Sequence, residues 1–226
     1  MKVALVNPPW SFGGSIYFGC TEPHLPLELA YAQALLTERG HDARLFDAFL
    51  EGWDDAALRS AVAEFRPDYT VVVTAPSYLF WRCAPPELRV PKATVAALRD
   101  IAGVLVAVGP HASTTPRATL RKLGVDLVVL GECEDVLPAV VETDRRLWHT
   151  VASVAFGPAG EEVIVGGPHA TDLRSLAPLR WPTPLLARHR HHHHRFDQDP
   201  QGPGAEVEAS RGCPFHCTFC AKDNFR

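Results

Sequence analysis

The sequence predicts an α/β fold over residues 1–145: a doubly wound, Rossmann-like (flavodoxin-like) sheet of five parallel strands. Three observations predict it. Short apolar runs alternate with longer helix-period segments, the order of a βαβ series. Two of the runs, Tyr69-Thr-Val-Val-Val-Thr74 and Val104-Leu-Val-Ala-Val108, are continuous rather than alternating, as strands buried on both faces are. Glycine or proline follows most of the helical candidates, as stop signals should.

In chain order, strands are predicted at residues 3–6, 43–46, 69–74, 104–108 and 127–130. Helices are predicted at 27–39, ending at Gly40; 54–65, ending before Pro67; 92–102, ending at Gly103; 116–123, ending at Gly124; and 134–142. Residues 146–204 are predicted as a hairpin and linker. The hairpin pairs 151–156 with 162–165 across Gly157-Pro158-Ala159-Gly160, and residues 166–204, dense in proline, glycine, arginine and histidine, read as an extended crossover. Residues 205–226 begin a further unit with Ala205-Glu-Val-Glu-Ala-Ser210, a short alternating run that reads as a strand.

In a doubly wound sheet, ligands sit in the crevice beyond the C-terminal ends of the strands. Four segments occupy those ends: Asn7-Pro8-Pro9-Trp10, Thr74-Ala75-Pro76-Ser77-Tyr78, Gly109-Pro110-His111-Ala112-Ser113-Thr114 and Gly131-Glu132-Cys133-Glu134. Read as residues alone, Gly109-Pro110-His111 is a strand-ending turn whose histidine satisfies backbone groups. Ser77 and Ser113 are hydroxyls of a kind common at turns. Gly131 allows a close backbone approach, and Glu132 fits a solvated helix-start carboxylate.

The 226 residues are 46% hydrophobic and 21% charged, enough apolar material for one ordinary domain and an appendage. With a formal net charge of −4 and no long basic run, nucleic acid is not an expected partner. The apolar run at the N-terminus is too short for a signal peptide, and no stretch approaches the roughly 20 apolar residues that cross a bilayer. The expected location is cytoplasmic, with no membrane partner.

Three of the six cysteines, Cys213, Cys217 and Cys220, fall within Cys213-Pro-Phe-His-Cys217-Thr-Phe-Cys220, while Cys20, Cys83 and Cys133 are scattered and read as small buried or half-buried residues. In a chain without an export signal such a cluster favours a metal site over disulfides. Three thiolates at CxxxCxxC spacing on one tight loop can hold three irons of a [4Fe-4S] cluster and leave the fourth open. The rival is structural zinc, which closes four ligands with paired elements. No second pair follows, although His216 lies inside the loop.

Cys213, Cys217 and Cys220, with an aromatic residue before the last and Arg211-Gly212 before the first, resemble the signature of the radical S-adenosylmethionine (SAM) enzymes. The resemblance implies a [4Fe-4S] cluster whose open iron is chelated by SAM, cleavage of SAM to a 5'-deoxyadenosyl radical, an external electron donor and an unknown substrate. The N-terminal half resembles the cobalamin-binding domain that precedes the catalytic barrel in one branch of that superfamily. On that resemblance Asn7, Pro8, Ser77, Gly109, His111, Ser113, Gly131 and Glu132 are candidate cobalamin-binding residues, and methyl transfer or ring formation is the expected chemistry. No D-x-H-x-x-G follows the first strand, which implies cobalamin bound without a lower histidine ligand. A barrel of that family is longer than the six residues that follow Cys220 here, so a truncated catalytic domain, inactive alone, is expected. A non-catalytic cobalamin-binding module is the alternative.

His189-Arg190-His191-His192-His193-His194-Arg195 lies inside the chain with ordinary sequence on both sides. It reads as a solvated linker, or else as a contact for a transition metal or an anionic ligand. Trp10 and Trp181 read as core or interdomain packing, with Trp10 placed where it can also border a cofactor.

Overall fold

The computed structural model describes residues 1–13, 23–76, 87–179, 181–189, 204–212, 215 and 217–219. All five predicted strands form: β1 (Lys2–Asn7), β2 (Asp42–Asp47), β3 (Tyr69–Val73), β4 (Val104–Val108) and β5 (Leu127–Val129). They pair in parallel in the order β2-β1-β3-β4-β5. The predicted hairpin, β6 (Val154–Phe156) and β7 (Val163–Val165), does not stand apart. It adds two antiparallel strands to the β5 edge, giving a mixed sheet of seven.

The helices are α1 (Leu27–Glu38), α2 (Ala48–Glu51), α3 (Asp55–Phe65), α4 (Arg89–Leu98), α5 (Pro110–Thr114), α6 (Pro116–Thr119), α7 (Val136–Glu142) and α8 (Thr183–Arg188). The start of α3 follows from its sequence: the Asp54 carboxylate accepts the amide of Ala57 at 2.8 Å, satisfying one of the orphan donors of the first turn. The segment from Pro110 to Thr114, read from the sequence as a turn, is a short helix. Gly109 precedes it at φ 105°, a conformation that favours glycine, and Pro110 takes the first helical position, where its missing N–H leaves no bond unmade.

Strand side chains alternate between the faces, and so sort the core into two layers. Val3 and Leu5 of β1, Val71 and Val73 of β3, Val106 and Val108 of β4, and Leu127 and Val129 of β5 pack with Leu29 and Leu36 of α1 and with Leu137 and Val140 of α7. Ala4, Val6, Val72, Leu105, Ala107 and Val128 turn the other way, to Leu58, Val62 and Phe65 of α3 and Val95 and Leu98 of α4. Helices therefore cover both faces, which is why β3 and β4 carry no alternation to read. Gly103 makes the tight return into β4: at φ +63° a Cβ there would sit 2.2 Å from the Asp68 carbonyl oxygen.

The crossover from residue 166 onward is more ordered than its composition predicts. His169 bridges to Gly131 beyond the end of β5, residues Leu173–Ser175 form a 3₁₀ turn, and α8 follows. Residues 204–212 pair with no strand among the described residues, yet Glu206, Glu208 and Arg211 are half-buried while Ala205, Val207 and Ala209 are exposed. No helix among the described residues is long and apolar enough to cross a membrane.

Leu5 is fully buried at the middle of β1, whereas Leu147 is about half exposed. Leu5→Ala is expected to lower unfolding free energy by about 2–5 kcal/mol, and Leu147→Ala by less than about 0.5 kcal/mol. Urea unfolding checks this through a shifted midpoint at constant slope.

Candidate functional site

The strand order places the topological switch point between β1 and β3, because the connections from these two strands run in opposite directions across the sheet. The chain leaving β1 is held in place by side chains. Asn7 is buried, donating through Nδ2 to Asp47 Oδ1 at 2.8 Å and accepting the Trp10 indole N–H at 2.8 Å. Pro8 is buried beside it, and its carbonyl accepts the Trp10 amide at 2.9 Å. Trp10 itself joins the core layer of α1 and α7, as its packing reading expects.

At the end of β3, both the amide and the hydroxyl of Thr74 donate to the Val108 carbonyl, at 2.8 and 2.9 Å, so β3 and β4 end in register. Ser113 performs the same task one strand on. Its hydroxyl donates to the Gly109 carbonyl at 2.9 Å and accepts the Gly131 amide at 2.8 Å, so three predicted residues from two strand ends meet at one oxygen. His111 is half-buried on α5, and its carbonyl accepts the Thr119 hydroxyl at 2.8 Å. Ser77 lies outside the described residues. Ala75, Gly109, Ala112 and Ser113, at the ends of β3 and β4, are all small and buried.

Gly131 does allow a close backbone approach, and the described partner is the chain itself. At φ +82° a Cβ there would lie 2.3 Å from both the amide nitrogen and the carbonyl oxygen of His169. His169 donates to the Leu130 carbonyl and accepts from the Glu132 amide, both at 2.9 Å. Glu132, read above as solvated, is fully buried: it accepts the Thr171 amide at 2.9 Å and meets Arg211 Nη1 at 3.1 Å. Arg211 Nη1 also lies 2.6 Å from Glu134, and its Nε 2.7 Å from Glu208. Burial pushes the Glu134 carboxyl up to about 7, with the Arg211 charge opposing and the Glu132 charge assisting.

A second polar group lies under the crossover. Glu206 Oε1 receives His24 Nδ1 at 2.8 Å and His189 Nε2 at 2.9 Å, while His189 Nδ1 lies 2.7 Å from the Gly204 carbonyl. Burial works against the Glu206 charge, but the histidine contacts outweigh it and hold the carboxyl near about 2. The first histidine of the tract is therefore buried rather than solvated; residues 190–200 lie outside the described residues. Asp47 is buried too, and desolvation carries its carboxyl up to about 6 despite the Leu50 and Asn7 hydrogen bonds.

Of the cysteines in the motif, Cys217 is described and exposed, while Cys213 and Cys220 lie outside the described residues. Cys133 is fully buried in the core, as its reading as a small buried residue expects. The donor set suits an iron-sulfur cluster: three thiols within eight positions of sequence, of which Cys217 is open to solvent. The chain leaving β1, Asn7-Pro8-Pro9-Trp10, carries no D-x-H-x-x-G.

Sequence reasoning placed Glu134 at a strand end without its partner, and missed Asp47, His24, His189, Glu206 and Arg211 as parts of this edge. A signal existed for Glu206: in Ala205-Glu-Val-Glu-Ala-Ser210 it shares one face with Glu208, and carboxylates on an inward face need buried cations to meet them.

Residues 20–141 match the B12 binding domain family. The chain is 26% identical over 227 residues to an uncharacterized methyltransferase of Pyrococcus horikoshii, covering 98% of this chain and 45% of the relative. It is 26% identical over 246 residues to the anaerobic magnesium-protoporphyrin IX monomethyl ester cyclase of Cereibacter sphaeroides, covering 100% of this chain and 35% of that one. The chain thus spans less than half the length of these curated relatives. Its fold is similar to that of a radical S-adenosylmethionine methyltransferase from Kitasatospora setae, solved with cobalamin and a [4Fe-4S] cluster bound. That match has a TM-score of 0.56 at 20% identity, over 73% of this chain and 30% of the other.

Asp47 and Glu134 both hold a proton in the folded protein at pH values where the unfolded chain has lost it. Their contribution to stability is full below about pH 4 and is lost as the pH rises through about 6 and about 7. The urea midpoint is expected to fall between pH 4.5 and 7.5, and Asp47→Asn to flatten the lower part of that fall, by up to about 3 kcal/mol. A slope unchanged by Asp47→Asn contradicts the assignment.

Proposed function

We propose, from the premise that the chain belongs to the B12-binding domain family, that it is the cobalamin- and cluster-binding part of a radical SAM enzyme. One juxtaposition carries the proposal: the residue two places before the first cysteine of CxxxCxxC is fixed to Glu132 and Glu134, on the same edge of the sheet as the crevice. Anchoring the chain just before the three cysteines to the B12-binding sheet is what a reaction using both cofactors needs. The names and cofactors of the relatives support the same reading, a methyltransferase or cyclase type of reaction on a substrate the sequence does not specify.

Cys213, Cys217 and Cys220 would hold the [4Fe-4S] cluster through their thiolates, and SAM would take the iron they leave open. Cobalamin would lie on the strand ends, with Asn7, Pro8, Ser77, Gly109, His111, Ser113, Gly131 and Glu132 around or beneath it. Together the cofactors supply one-electron cleavage of SAM and carriage of a methyl group; the protein supplies ligation, orientation and exclusion of water. Asn7, Thr74 and Ser113 act by fixing the strand ends in register, so that backbone groups and small side chains form one continuous wall. Glu132 and Glu134 act from behind that wall, holding the crossover and Arg211.

Two measurements test the proposal on the 226-residue chain. Titration with hydroxocobalamin is expected to give a saturable change in the visible spectrum at one equivalent, and a flat titration overturns the cobalamin assignment. Anaerobic reconstitution with iron and sulfide is expected to give about four irons per chain. Cys213→Ala, Cys217→Ala and Cys220→Ala should each abolish the brown chromophore, while Cys133→Ala keeps it. Zinc without sulfide, or retention of iron in the triple variant, overturns the cluster.

A further inference from the structure

Arg211 stands two residues before Cys213, and its surroundings are unusual for an arginine at the start of a ligand loop. Its side chain is only 3% exposed, and three carboxylates converge on it: Glu134 at 2.6 Å, Glu208 at 2.7 Å and Glu132 at 3.1 Å. Its guanidinium also lies 5.4 Å from the centre of the Tyr31 ring on α1. Two of the carboxylates follow β5, one belongs to the strand-like run before the loop, and the ring belongs to the helix that follows β1. The guanidinium thus ties three separate parts of the chain together immediately before the first thiol.

The planar fork of arginine explains the residue type. It directs donors in several fixed directions at once, which the single point charge of lysine does not. Glu132 has its own second anchor, the Thr171 amide, so the acidic pair is positioned by the crossover before Arg211 arrives. The buried guanidinium and the carboxylates around it favour one placement of the chain between them, because a slip separates buried opposite charges.

We propose that Arg211 is a positioning residue: held by Glu132, Glu134 and Glu208, it fixes where the three-cysteine loop begins relative to the B12-binding edge. This rests on the cluster reading of Cys213, Cys217 and Cys220. The residue acts through the placement of the loop and takes no part in ligation. The same carboxylates that follow β5, inside the B12-binding segment, therefore register the loop, so the relative position of the two cofactors is set by one ion-pair group.

The test uses the whole chain with Arg211→Ala, Arg211→Lys and, as a surface control, Arg174→Ala, whose partner Asp172 is solvent-exposed. Hydrogen exchange is measured over residues 204–212 without cofactors, and the EPR spectrum of the reduced cluster after anaerobic reconstitution. Arg211→Ala is expected to speed exchange in that segment at least tenfold and to broaden or split the cluster signal, with the hydroxocobalamin titration still saturating. Arg211→Lys should recover part of the protection and give an intermediate spectrum, and Arg174→Ala should match the unaltered chain. Unchanged exchange together with a superimposable cluster spectrum in Arg211→Ala overturns the proposal. If the unaltered chain forms no cluster, the cluster reading fails, and the exchange measurement still decides whether Arg211 holds the segment.

Discussion

Burying carboxylates behind a ligand-binding edge is the constraint around which this molecule is arranged. Glu132 and Glu134 follow β5 directly, where a turn to solvent is the ordinary course, and both are instead fully buried. A carboxylate taken out of water must lose its charge or find a partner. This chain does both: Glu134 sits near neutrality, with its carboxyl carried to about 7, while Arg211 and the Thr171 amide serve the pair. The crossover around His169 and the segment around Arg211 must therefore close over β5, and Gly131, where a side chain would strike His169, leaves them room to do so.

The same edge divides its polar groups between two tasks. Thr74, Ser113 and Asn7 are used within the sheet, each linking the end of one strand to a neighbour. The acidic groups and histidines further out hold the later chain: Glu132 and Glu134 take Arg211, and His24 and His189 take Glu206. The strand ends of β3 and β4 carry small, buried residues, Ala75, Gly109, Ala112 and Ser113. A large flat cofactor gains most from such a wall, since its affinity comes from broad contact and a few placed polar groups.

The strands were legible because their signal is local. Continuous apolar runs in β3 and β4 announce burial on both faces, and the helices end at glycine or proline where the chain must turn. Pairing was less legible: nothing in residues 151–165 tells whether their hairpin stands alone or joins β5, since that depends on which sheet edge is left open. The helix at 110–114 was passed over although Gly109-Pro110 carried its start signal. The polar groups were hardest, because the meaning of Glu134 or His189 depends on a partner tens of residues away. Glu132 illustrates the limit: as a helix-start carboxylate it is unremarked, and only the fold brings Thr171 and Arg211 to it. The cysteine spacing was the opposite case, since chemistry at CxxxCxxC is set by neighbours within one loop.

A double-mutant cycle between Glu134 and Arg211 addresses the joining of the two halves most directly. Unfolding free energies of the unaltered chain, Glu134→Gln, Arg211→Met and the double variant give their coupling by urea denaturation. A coupling of about 2 kcal/mol or more is the expected result for a buried, mutually dependent pair. Additive changes, with a coupling within about 0.5 kcal/mol of zero, would mean that the loop segment does not depend on the β5 carboxylates for its place.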